Sequence, residues 1–238
     1  ADVQLPLASL TKLMTVATAL DTLSATSTVT ITHEALSPEG DSGLKAGERW
    51  YANDLASFTL MESSNDGAHA LMLAASGTLV ESTDDFIAAM NRKAAALGLA
   101  STYYMNDTGL DISTSTAGAY GTAHDMAALV AGLTKTRSAL LERSTYAGYD
   151  FVSQSGVRHA AKNTSLVAST LMASVASKTG YTDLAGGNLV VEFEPLPGRP
   201  VAISVLGSTR DGRDADVRAI ARFAEASVRR AIVCSERL

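Results

Sequence analysis

Cysteine is nearly absent: Cys234 is the only one in 238 residues, which excludes an internal disulfide and leaves the redox compartment open. No apolar run approaches the roughly 20 residues needed to cross a bilayer. Basic side chains are the minority, 19 Lys and Arg against 25 Asp and Glu, and a net charge of -6 speaks against the basic face that a nucleic-acid partner requires. The opening Ala1-Asp2-Val3-Gln4 lacks the basic start and apolar stretch of a secretory leader, as in a cytosolic protein or a trimmed mature one. The histidines His33, His69, His124 and His159 never stand at metal-ligand spacing such as H-x-x-x-H, so all read as structural or surface residues and no metal site is expected.

What is present is a globular composition, 46% hydrophobic and 18% charged, which excludes long disorder and fits one large domain or two lobes around a shared core. A helix is expected from about Ser9, where Leu10, Leu13, Met14, Ala17 and Leu20 recur at helical spacing. Residues 24–53 read as irregular with short extended pieces around Val29-Thr30-Ile31. Helical patterns over 54–62 and 66–76 are parted by polar Ser63-Ser64-Asn65, and further helices are expected over about 84–97, ending at Gly98, and 123–133. Beyond residue 145 the pattern turns extended. Residues 149–152 and 157–159 flank Gln154-Ser155-Gly156 as a hairpin. Strands over 174–181, 188–193 and 200–206 follow, with short turn-rich links that favour antiparallel neighbours. A last helix covers about 214–232, with Val217, Ile220, Ala224, Val228 and Ile232 on one face. This order predicts one domain of two lobes, an α/β lobe of about 1–23 and 166–238 and a mainly helical lobe of about 24–165, with a cleft between them.

Three short stretches carry chemistry. In Ser9-Leu10-Thr11-Lys12 the serine and lysine stand three apart, on one helix face. Serine needs a base to become nucleophilic, and a lysine whose charged form is disfavoured by burial can serve. A solvated lysine beside a capping serine is the plainer alternative, since the spacing arises by chance about once in such a chain. Ser42-Gly43-Leu44-Lys45 repeats it in a glycine-containing loop with no helix to fix its geometry. Ser63-Ser64-Asn65, between two helices, can present a hydroxyl and an amide from a tight turn, or simply cap Asp66. Lys178-Thr179-Gly180, near a strand end, joins a cation and a hydroxyl suited to a carboxylate with a glycine that admits a ligand backbone.

Together, in this order, these stretches resemble the D-alanyl-D-alanine carboxypeptidases, the low-molecular-mass penicillin-binding proteins of peptidase family S11. Leu7 to Thr15 is similar to their active-serine segment, Glu62 to Asp66 to their second motif, and Lys178 to Gly186 to their third. Gly98-Leu99, Asn106, Gly109-Leu110-Asp111 and Asn163-Thr164 match stretches between. The resemblance covers nearly the whole chain. It implies an α+β fold of the β-lactamase/transpeptidase type, an antiparallel sheet flanked by helices plus an all-helical lobe. It implies a catalytic set of Ser9 as nucleophile, Lys12 as its base and Ser63 as proton carrier. Asn65, Lys178, Thr179, Gly180 and Tyr181 would bind substrate, with the backbone N–H groups of Ser9 and Tyr181 as oxyanion hole. The implied substrate is the peptidoglycan stem peptide, with β-lactams as covalent inhibitors, no cofactor, and a place outside the cytoplasmic membrane.

The chain departs from that pattern in three places. Only eight residues precede Ser9, so the family's leading strand hairpin is missing and three sheet strands are expected, with an exposed edge. The further β-domain and amphipathic anchor that members often carry do not follow the last helix. Asp107 stands where the family often has proline. Alternatives with the same three motifs are a β-lactamase, a D,D-endopeptidase and a non-catalytic cell-wall-binding module. The Glu-x-x-x-Asn pattern of class A β-lactamases is absent between Asn65 and Lys178, and so is the G-x-S-x-G elbow of α/β-hydrolases.

Overall fold

The computed structural model describes residues 1–79, 83–171 and 173–235. A short strand β1 (Leu5–Pro6) leads into a 3-10 turn, Ala8–Leu10, and then α1 (Thr11–Thr22). Every residue of α1 from Thr11 to Ala19 is buried, so this helix is a central post rather than a surface helix. Around it stand α2 (Ala52–Glu62), α3 (Asn65–Leu79) and α4 (Thr83–Ala96). The stretch read as irregular holds a two-stranded pair, β2 (Thr28–Thr30) with β3 (Arg49–Tyr51). Strands β4 (Tyr103–Tyr104) and β5 (Ala119–Gly121) join β1 in a small sheet that ties the residues before Ser9 to the chain beyond α4.

Helix α5 (Ala123–Glu142) starts at Thr122, whose hydroxyl accepts from Asp125 N at 3.0 Å, an N-cap. It runs well past the expected end near Leu133. The backbone leaves helical geometry at Arg137 (φ -143°, ψ 41°) and resumes because Leu140 and Leu141 re-form a buried face. The polar run Thr134-Lys135-Thr136 had broken the apolar pattern without breaking the helix. A hairpin follows, β6 (Gly148–Val152) with β7 (Arg158–Lys162). It buries Phe151 against Trp50 and Phe58, ring centroids 6.3 and 5.6 Å apart.

The principal sheet is antiparallel, β8 (Ser174–Thr182), β9 (Gly186–Phe193) and β10 (Val201–Ser208), ordered β10-β9-β8, so β8 and β10 are edges among the described residues. Alternation sorts its faces. Leu189, Val191, Phe193 and Ile203 meet Val217 and Ala221 of α6 (Arg213–Ser235), whereas Ala176 and Val190 join the core of the helical layer, where α5 crosses the sheet. The expected α6 face needs one correction: Ile220 is 42% exposed, and Ala221 takes the buried place. The Ile232 side chain lies outside the described residues. No described helix is long and apolar enough to cross a membrane.

Candidate active site

The 3-10 turn is held in place from both sides. Leu7 N donates to Ala119 O at 3.0 Å, and the buried Asn188 amide donates to Pro6 O and Leu7 O at 2.9 and 3.1 Å. Ala8, just before Ser9, has φ 48°, a conformation costing about 1–3 kcal/mol for a residue with a side chain. Gly109 (φ +80°) lies so close that a Cβ there would come 1.9 Å from Ala8 O, so only glycine fits. On the other side Gly180 of β8 approaches closely enough that a Cβ would stand 2.9 Å from Leu7 O and 3.2 Å from Ser9 N. The glycines of two separated motifs thus let three pieces of backbone converge on one serine.

Ser9 Oγ and Lys12 Nζ are 2.8 Å apart. Lys12 is fully buried, and its ammonium donates to Thr108 O at 2.7 Å. Burial lowers its pKa to about 7, against a smaller opposing pull from Asp107. The amine can therefore exist neutral near neutral pH and take a proton from the hydroxyl. Ser63, the residue closing α2, adopts the left-handed region (φ 62°, ψ 34°), which turns the chain sharply into α3. Its Oγ accepts from Lys178 Nζ at 2.7 Å, and the same ammonium donates to Thr179 O at 2.7 Å. The pKa of Lys178 falls well below the ordinary lysine value, through burial first and then through the charges of Lys12 and Arg213. Two buried lysines, each on one serine, thus carry protons reluctantly.

Ser9, Ser63, Thr179, Gly180 and Tyr181 line one cleft of about 480 Å³. The structure therefore brings together five of the eight residues read from sequence, with Lys12 and Lys178 hydrogen-bonded beneath them. Asn65 lies apart: it lines an adjoining hollow that shares Tyr181 with the cleft. Its Nδ2 donates to Glu39 O at 2.6 Å, while its buried Oδ1 has no partner. The second serine–lysine pair separates, because Ser42 Oγ bonds Ser64 Oγ and Asp66 Oδ2, at 2.6 and 2.9 Å, and Lys45 is exposed.

Six further residues line the cleft, Thr164, Leu166, Arg210, Asp211, Arg213 and Asp214. Thr164 Oγ1 lies 2.5 Å from Thr179 Oγ1. Arg213, at the start of α6, donates to Gly180 O at 2.8 Å, and its buried Nε stands 3.9 Å from Asp214 Oδ2. Arg210 sits over the Tyr181 ring, 5.2 Å from its centroid. Asn163-Thr164 carries only a resemblance, and the arginines stand in a charged loop like any other, so no local pattern marks them.

The sequence profile of the D-alanyl-D-alanine carboxypeptidases, peptidase family S11, matches residues 1–209. The D-alanyl-D-alanine carboxypeptidase DacA of Escherichia coli K12 is 32% identical over 228 residues, covering 91% of this chain and 54% of that protein. The chain thus spans about half the length of that relative. Among solved structures, a D-alanyl-D-alanine carboxypeptidase from Mycobacterium tuberculosis H37Rv superposes with a TM-score of 0.77 at 26% identity, covering 94% of this chain and 83% of that one. The Streptomyces K15 DD-transpeptidase shares the fold, with a TM-score of 0.78 at 23% identity over 95% and 90% of the two chains. The match over 209 of 238 residues extends far beyond the three motifs, and with it this chain belongs to the D-alanyl-D-alanine carboxypeptidase family.

Proposed function

We propose that the chain is a serine D,D-carboxypeptidase that removes the terminal D-alanine of peptidoglycan stem peptides outside the cytoplasmic membrane. Its cleft would lie between a sheet-bearing lobe (about 1–23 and 166–238) and a mainly helical lobe (about 24–165). The observation that carries this reading is the pair of buried lysines, each within 2.8 Å of a serine hydroxyl on one cleft. Neutral Lys12 takes the Ser9 proton as Oγ attacks the penultimate carbonyl. The N–H groups of Ser9 and Tyr181 receive the developing oxyanion. The C–N bond then breaks, and Ser63, backed by Lys178, delivers a proton to the departing D-alanine nitrogen. Water cleaves the ester and restores Ser9. Thr179 and Lys178 serve the terminal carboxylate, joined by the cation of Arg213, which lines the same cleft. Asn65, on the adjoining hollow that shares Tyr181 with the cleft, would meet the substrate from that side. A β-lactam, sharing the reactive amide, acylates Ser9 in the same way.

The test is incubation with a stem pentapeptide ending in D-Ala-D-Ala, a cross-linked peptide dimer and a penicillin in parallel. Release of one D-alanine, with a penicillin adduct outlasting minutes, is expected. Penicillin turnover within seconds would indicate a β-lactamase, cleavage of the dimer alone an endopeptidase, and a folded but inert chain a binding module.

A further inference from the structure

We infer that Asp107 and His69 act together as a charge-balancing positioning pair for Lys12. The inference rests on Lys12 being the base of the proposed reaction. Asp107 is buried, and its Oδ2 lies 2.9 Å from Nδ1 of His69, which projects from α3. The backbone of the same segment grips the lysine helix. Thr108 O accepts from Lys12 Nζ at 2.7 Å, and Asp107 O accepts from Thr15 Oγ1 at 2.6 Å, one turn further along α1. Carboxylate, imidazole and catalytic amine are therefore linked through two adjacent residues.

The charges around them are few. Asp107 acts on Lys12 from the linking segment, and the charges of Lys12 and Arg213 act on Lys178. His69 faces Asp107, Glu34 and Asp66, and its pKa is raised chiefly by the hydrogen bond with Asp107. A lone Asp107 carboxylate favours the charged, unreactive form of Lys12. A protonated His69 against that carboxylate makes the pair neutral and removes the pull. As pH falls and His69 gains its proton, Lys12 is thus kept neutral further into acid than Asp107 alone would permit.

The experiment is the second-order rate of penicillin acylation from pH 5 to 9 for the full chain, with thermal unfolding of each variant. Variants are Asp107→Asn, His69→Asn, which keeps an N–H donor without the charge, and the double variant. Asp107→Asn is expected to move the acid limb down by about half to one pH unit, and His69→Asn to move it up. The double variant should follow Asp107→Asn. Opposite shifts are something a purely structural role would not produce. Acid limbs coincident with wild type, or both single variants moving the same way, in proteins that unfold normally, would overturn the inference and leave the proposed function standing. A wild type that is folded yet never acylated would overturn both. If Asp107→Asn does not fold, Asp107→Ser, which also removes the carboxylate, carries the same expected downward shift.

Discussion

At the scale of residues, burial acts on two amines, Lys12 and Lys178, and disfavours their charged forms. A lysine with its pKa at about 7 is half neutral near neutrality, so acylation should fall roughly tenfold per pH unit below that point, as its base takes up protons. Rates measured across the acid limb check this; a rate independent of pH down to 5 would remove Lys12 from its role. Gly180→Ala tests the packing rather than the charge. Its Cβ would crowd Leu7 O and Ser9 N, lifting β8 off the serine turn, so acylation should fall by about 10–100-fold while the circular dichroism spectrum stays unchanged. Ser9, Lys12, Ser63 and Lys178 stand out in sequence because each motif is contiguous, and the structure places them side by side in two hydrogen-bonded pairs. Arg213, Thr164 and the clamp from Asn188 to residues 6 and 7 do not stand out, because nothing local to them changes when they meet the site. Asp107 and His69 read separately as a minor departure and a structural histidine, and only their 2.9 Å contact gives them a common meaning.

At the scale of elements, the sheet is held by the face that meets α6. Phe193→Ala removes a fully buried ring from that cluster and should cost about 3–5 kcal/mol in urea unfolding. Phe223→Ala, at 69% exposure on the opposite side of α6, should stay within about 0.5 kcal/mol of wild type. Equal effects would mean that the helix is packed in another rotation. The sequence located this helix and all three strands, since strand alternation and the 3.6-residue period are local signals. It did not fix the rotation: Ile220 and Ala221 both fit a helical stripe through Val217, and packing on the sheet decides for Ala221. The end of α5 was missed for a related reason, as Leu140 and Leu141 recover a buried face only beyond the break at Arg137.

At the scale of the molecule, the cleft is a product of the whole fold. Its serines and lysines come from the turn before α1, the α2–α3 junction and the β8 edge, which meet only when helical layer and sheet are assembled. The most direct measurement is intact mass, followed by peptide mapping, after penicillin treatment of the wild type and of Ser9→Ala. One penicillin per chain, on the peptide holding Ser9 and absent from the variant, is the expected result. A folded wild type that stays unmodified, or a variant that is still labelled, would contradict the account.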